Sequence, residues 1–387
     1  MKLFTVEYIW IDGEHKTKSL TKIIPSSNIP KLEDIKKLKI DGTKCKLTDE
    51  DSSVVILDPK FICNDPFKED GVLVMCDTYK DEYNRWGNNF RFVVKSLLDE
   101  KDDSEPFCKF DQEFYIVDPT TNRPIGFPSS GCPQPEDIYY CGVGFEGNFG
   151  RNFIDDFLRK SIDVGLMITG INQSETPGQW VMEVGPIDLI QSADQLWILR
   201  YILQKLGEEY SYIISFDPKI VPGYWHCSGL VPHFSTVKTR GDNKKETLDK
   251  FVKKLEESHD MMLQFYGSGN EYRIDNLEEF TCGDSESNSV TVSDTFISDH
   301  RPSSNADPYL VAAMLFQTCC LDDEEENTTP VEDDSSPVED DTEEEPVYKD
   351  EDGSILVDKE DKSQSRDVIY TDDGETVLLK HNIDEKE

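Results

Sequence analysis

The chain has 387 residues, long enough for two domains or one large one, with 79 acidic against 40 basic side chains and a formal net charge of −39. That balance excludes nucleic acid as a partner, because phosphates call for clustered Lys and Arg, and disfavours an anionic membrane surface on the same grounds. No run of about 18 apolar residues is present to span a bilayer, and the alternating "MKLFTVEYIW" suits a first strand better than a secretion signal.

The charge is unevenly spread. Beyond Leu321 there are 27 acidic and 6 basic residues, a net of −21, so a moderately acidic body carries a strongly acidic tail. Ten cysteines lack CxxC spacing, which points to reduced thiols packed as small hydrophobes in a cytoplasmic protein, without structural zinc.

In chain order, residues 1–86 read as short strands parted by turns: "FTVEYIWIDG", "SLTKIIP", "SSVVILD" and "GVLVMCDTY". "NNFRFVVKSLLDE" (88–100) places Phe90, Val93, Val94 and Leu97 on one helical face. Strands and helices then alternate. "FCKFDQEFYIVD" is a strand, "GRNFIDDFLRKSIDVGLMITG" a helix leading into a strand, and "QWVMEVGP" another strand. A helix over 192–210, short strands at "SYIISFDP" and "HFST", a helix over 246–267 and a last helix over 306–321 follow. The alternation predicts an α/β layered or barrel-like core. The tail repeats Pro-Val-Glu-Asp-Asp at Pro330 and Pro337, and its composition predicts disorder. Within it, 347–357 and 368–379 each place Asp-Gly between β-rich flanks, a hairpin signature.

Two motifs bear on chemistry. In "KFDQEF", Asp111 and Glu113 share one strand face; such a pair either faces solvent or binds cations. Gly142, Gly144 and Gly147 match GxGxxG, but without the βαβ unit that a dinucleotide fold requires.

Taken together and in order, the segments resemble the eukaryotic-type glutamine synthetases. The matching pieces include "YIWIDG" (8–13), Asp41-Gly42, "NDPFKEDGVLVMCD" (64–77), "FDQEF" (110–114), "YYCGVG" (139–144) and Gly150-Arg151. "ITGIN", "PGQW", "DQLWILRYIL" (194–203), "SFDPKIVPGYW" (215–225), "HFST" (233–236) and "HRPSSNADPY" (300–309) complete a collinear series from residue 7 to about 321. The resemblance implies an α+β fold. A small β-grasp-like domain (1–86) would precede a catalytic domain (87–321) built on a curved, barrel-like antiparallel sheet with packed helices, and an acidic tail (322–387) would follow. The implied reaction joins glutamate and ammonia with ATP through γ-glutamyl phosphate, using Mg or Mn to screen the phosphates. It also implies oligomers, either of this chain alone or with a related subunit; the acidic tail suits a basic partner.

Carried over residue by residue, the resemblance gives an uneven site. Metal positions keep Asp111 and Glu113, but the other four of six fall on Ser174, Val181, Val231 and Ser298. Glu175, Glu183, His226 and His233 lie near the lost positions; Glu183 is two residues from Val181, about 6.6 Å along a strand. Phosphate-clamping arginines fall near Glu286 and Thr291 and on His300, and the ammonium-pocket tyrosine falls on Phe149. Asp41 matches an aspartate that aids ammonium binding, Arg273 the arginine that holds the substrate carboxylate, and Glu279 a flap glutamate. Ser235 and Arg301 fall at nucleotide-binding positions. The expectation is a degenerate glutamine synthetase-like protein, impaired or inactive, acting through assembly or binding. The alternative is an active ATP-dependent ligase with rearranged metal ligands.

Overall fold

The computed structural model describes residues 1–48, 54–81, 85–100, 102–134, 138–273 and 277–321, and in the tail 369–370 and 376–377. Met1–Asp322 forms one compact unit and Asp323–Glu387 another.

The first sheet runs in the order β2-β1-β5-β4-β3, from β1 (Lys2–Ile11), β2 (Thr17–Ser26), β3 (Leu38–Asp41), β4 (Val54–Asn64) and β5 (Gly71–Tyr79). β1 pairs antiparallel with β2 and parallel with β5. Val6, Tyr8 and Trp10 of β1 join Val55, Leu57, Val72 and Val74 in one apolar cluster. Glu7, Ile9 and Ile11 on the opposite face are buried as well, so the central strand is covered on both sides.

α1 (Phe90–Glu100) buries the expected face of Phe90, Val93, Val94 and Leu97. β6 (Phe107–Asp118) is the axis of an eight-stranded sheet; β7 (Arg123–Pro124), α2 (Arg151–Asp163), β8 (Ile168–Gln173), β9 (Gln179–Asp188) and α3 (Leu189–Tyr210) follow. The rest of the body is β10 (Ile213–Ser215), β11 (Leu230–Ser235), α4 (Lys244–Glu257), α5 (His259–Leu263), β12 (Val290–Val292), β13 (Ile297–Asp299) and α6 (Pro308–Phe316), which ends in a π turn over Gln317–Leu321.

Every pairing in this sheet is antiparallel. The α/β layered reading of the strand–helix alternation is therefore corrected to α+β with a curled sheet. The reason lies in the connections. β9 and β10, joined by α3, pair on opposite edges of β6, both antiparallel to it. A helix between two strands thus crosses the sheet without making them parallel neighbours. α3 starts on Asp188, whose Oδ1 accepts from the Ile190 and Gln191 amides, a cap for otherwise unpaired donors. The helix expected over 246–267 is two, broken at Ser258, because His259 turns inward: its Nε2 donates to the Leu277 carbonyl at 2.9 Å. α6 is buried on all sides, which fits its apolar sequence.

A tie joins α1 to α3: Arg91 donates to both oxygens of Asp194 at 2.8 and 3.0 Å. Beside it lies a cavity of about 680 Å³ lined in part by Lys60, Asp77, Tyr79, Arg91 and Lys95. In the second unit, Ile369–Tyr370 pairs antiparallel with Thr376–Val377, inside the segment 368–379 expected as a hairpin; its Asp-Gly lies outside the described residues. The second hairpin, expected over 347–357, and the disorder expected for the tail lie outside the described residues. So does the Pro-Val-Glu-Asp-Asp repeat.

Candidate functional site

The site is built on β6. Lys109, Asp111 and Glu113 project from one face because side chains alternate along a strand, while Cys108, Phe110, Gln112 and Phe114 are buried on the other. The registers of β9 and β11 then fix the neighbours. Asp111 lies opposite Glu183 and Val231, Glu113 opposite Val181, and Lys109 opposite His233. His233 in turn lies opposite Ser298, and Ser298 opposite Thr291. The structure thus brings Asp111, Glu113, Ser174, Val181, Val231, Ser298 and Arg273 to one concave face, together with Glu183, His226 and His233.

Glu113 is almost fully enclosed. Its Oε1 receives the His226 Nε2–H at 3.1 Å and the Ser174 hydroxyl at 3.3 Å. Its Oε2 receives the Gly229 amide at 2.7 Å and faces Arg273 Nη1 at 3.5 Å. Burial opposes ionisation of this carboxyl, but His226, Arg273 and the Gly229 amide together hold it below the usual carboxylate range. Conversely, burial lowers the His226 pKa, but Glu113 more than restores it and the net shift is upward. Arg273 also donates to the Cys227 carbonyl at 2.8 Å. It can approach only because position 229 is glycine: a Cβ there would lie 2.2 Å from the guanidinium carbon. Glu175 reaches toward the same group, its Oε2 3.8 Å from His226 Nδ1.

Asp111 is held by a second set. Its Oδ2 accepts from His233 Nε2 at 2.8 Å, and its Oδ1 lies 3.0 Å from Lys109 Nζ. Lys109 Nζ also lies 2.8 Å from Glu183 Oε2, and His233 Nδ1 is 2.7 Å from the Ser298 hydroxyl. Burial works against the charge of Asp111, but His233 and Lys109 draw its pKa down. A chain of contacts therefore runs Ser298–His233–Asp111–Lys109–Glu183. Among the described residues no three His, Cys, Asp or Glu side chains converge as metal ligands would.

The other expected positions are placed as follows. His300 Nε2 lies 3.0 Å from the Thr291 hydroxyl, and burial lowers its pKa. Arg301 is fully buried, its Nε and Nη2 donating to Asp299 at 2.8 and 2.7 Å and its Nη1 beside His259 at 3.0 Å. Its guanidinium is enclosed rather than presented to a ligand. Ser235 accepts from Arg240 Nη1 at 2.9 Å. Asp41, at the end of β3 on the first sheet, caps a local turn through the Thr43 amide at 3.2 Å. Glu279 and Glu286 are exposed. Phe149 is half-buried, its ring tilted against that of Tyr139 and its carbonyl accepting from Trp180 Nε1 at 2.9 Å. The GxGxxG segment forms a loop ahead of α2, not a strand-to-helix turn. Sequence reasoning missed Lys109, although its place two residues before Asp111 on a strand was a usable signal. It also missed Gly229 and Cys227, which act through backbone groups and leave no such mark.

Comparisons with known proteins place the chain in a family. No family model matches the chain. It is 36% identical over 332 residues to glutamine synthetase cytosolic isozyme 1-3 of Arabidopsis thaliana, covering 81% of this chain and 93% of that protein. It is 34% identical to glutamine synthetase root isozyme 4 of Zea mays, covering 81% and 92%. Against glutamine synthetase 1, mitochondrial, of Drosophila melanogaster it is 31% identical, covering 81% and 84%. A solved structure described as GmaS/ADP complex-Conformation 1 superposes with a TM-score of 0.64 over 81% of this chain and 77% of that one; at 16% identity this likeness speaks to fold alone. No helix among the described residues is long and apolar enough to cross a membrane. With more than four-fifths of its length matched at 31–36% identity to curated relatives, the chain belongs to the glutamine synthetase family, as a divergent member.

Proposed function

We propose that this chain has lost the metal-dependent ligation of ammonia to glutamate, or retains only a trace of it, and acts through assembly or binding. The observation that carries the reading is Glu113. Both of its oxygens are engaged by the protein's own donors, His226 and Ser174 on one, Gly229 and Arg273 on the other. Mg²⁺ requires oxygens at about 2.0–2.1 Å in near-octahedral geometry, and a carboxylate ringed by N–H and O–H donors offers it no free lone pair of that kind. The remaining positions supply Ser174, Val181, Val231 and Ser298, hydroxyls and methyls where carboxylates or imidazole are expected. The residues present do not fit a pair of divalent ions.

The magnitude follows from what such losses do elsewhere. Each ligand-supporting change costs about 10–100-fold in metal affinity or activity, so four together predict a decrease of at least about 10⁴-fold. The phosphate clamp adds to this, since Thr291 and His300 satisfy each other and Glu286 carries the wrong sign for meeting phosphate. The test is ADP and glutamine formation with ATP, glutamate, ammonia and Mg²⁺ or Mn²⁺, beside a D111A/E113A double variant. Turnover within a hundredfold of an ordinary family member that disappears in the double variant would restore the ligase reading.

The same reading divides the chain into 1–86, 87–321 and an acidic tail over 322–387, places it in the cytoplasm, and expects a homo-oligomer. Family membership supports the assembly; the charge of the tail supports a role in limiting its size.

A further inference from the structure

Asp111 and Glu183 face each other across the β6–β9 ladder. Like charges directly opposite on neighbouring strands repel, so this register needs a cation between them. Lys109 supplies it, with Nζ 3.0 Å from Asp111 Oδ1 and 2.8 Å from Glu183 Oε2. The position is set twice over. Lys109 is on the same strand face as Asp111, and Gly170 on β8, opposite Glu183, leaves room for the carboxylate: a Cβ there would lie 2.7 Å from it. On its far side Asp111 is closed by His233, itself anchored on Ser298.

We infer that the Lys109 ammonium occupies the seat of a divalent cation, as an ion carried by the chain itself. The inference rests on the reading above, that no metal is bound here, and adds what replaces it. A tethered ammonium holds β6 and β9 together without any ion from solution and blocks entry of one. The three side chains are between about a quarter and a third exposed (25%, 24% and 33%), so solvent ions reach the seat once the ammonium is gone. Removing it leaves the facing carboxylates of Asp111 and Glu183 without a cation between them, oxygen donors of the kind that Mn²⁺ accepts.

The test uses the full chain as wild type, K109M and K109R, stripped of metal and titrated with Mn²⁺, with free Mn²⁺ followed by electron paramagnetic resonance and stability by thermal unfolding. The acidic tail takes up Mn²⁺ weakly in all three, so the readout is the difference between chains. K109M is expected to bind one more equivalent than wild type and to gain thermal stability from Mn²⁺, while K109R behaves as wild type. If K109M is unstable alone, Mn²⁺ is expected to restore its cooperative unfolding transition. A folded K109M that binds no more Mn²⁺ than wild type overturns this inference and leaves the proposed function standing, as does an unstable K109M that Mn²⁺ fails to restore. Wild type that takes up Mn²⁺ in a manner lost in D111N overturns both.

Discussion

Replacing Glu113 by alanine distinguishes a carboxylate that waits for a metal from one that already has its partners, and the two cases differ in sign. In an empty metal seat, removing one of several crowded carboxylates relieves repulsion, and the metal-free protein becomes more stable. Here the same change strips Arg273, whose side chain is 7% exposed, and His226 of their counter-charge, and leaves the Gly229 amide without an acceptor. Removing one partner of a buried ion pair costs about 3–5 kcal/mol. Arg273 keeps the Cys227 carbonyl at 2.8 Å, which argues for the lower end, about 3 kcal/mol. For a body spanning Met1–Asp322, 1 kcal/mol corresponds to about 1.5 °C, so Tm should fall by about 4–5 °C. The assay is thermal unfolding by circular dichroism in excess chelator, at one protein concentration because assembly adds to apparent stability. A Tm for Glu113→Ala equal to or above that of wild type would refute the reasoning.

Asp194→Ala should destabilise the body by about 3 kcal/mol, since Arg91 (14% exposed) loses both acceptors and the Tyr309 hydroxyl loses its partner; urea midpoints of the two proteins measure it, and a shift under a third of that size contradicts the role of this tie. Burial pushes the Asp77 carboxyl up to about 7, and Arg91 and Lys60 offset only part of that. Between its ordinary value near 3.8 and about 7 the folded state then binds more protons than the unfolded one. Wild-type stability should fall with rising pH across that window by up to about 1.4 kcal/mol per unit, relative to Asp77→Asn. Urea unfolding of both proteins at several pH values tests this, and a constant difference between them rejects it. Finally, the net −21 beyond Leu321 repels other copies within a Debye length, about 8 Å at physiological salt. At low salt a chain ending at Leu321 should therefore form a larger assembly than the full chain by light scattering, with the difference shrinking as salt rises; equal masses at low salt rule that out.

The elements were legible where one physical signal dominated. β6 shows strand alternation with apolar residues on one face, and its bounds match the expected 107–118. α1 follows from its apolar face, and α3 from a long helical run whose start is moved to Leu189 by the Asp188 cap. β3 was not seen in the sequence: Leu38 and Ile40 alternate with Lys39 and Asp41, but four residues are too short a run for that pattern to stand out, and pairing with β4 makes Leu38–Asp41 a strand. The break at Ser258 was equally hidden, because it depends on His259 finding Leu277 and Arg301, both far along the chain.

The site was legible in which groups it keeps, and not in what they hold. The resemblance implies metal positions at Asp111 and Glu113, but a carboxylate there suits either of two opposite purposes: to bind a cation from solution, or to bind one belonging to the chain. Only the partners decide, and those of Glu113 come from 61, 113, 116 and 160 residues away. No local pattern announces them. Lys109 is the exception, because period two places it beside Asp111 without any tertiary information. A lysine two residues from a supposed metal carboxylate on the same strand face is thus a sequence-level warning that the carboxylate's charge is already answered. Across the family at large, where a metal strand gains an internal cation at this spacing, the facing strands should also have lost ligands, because a divalent ion and an ammonium compete for one seat and the unused oxygens around it repel.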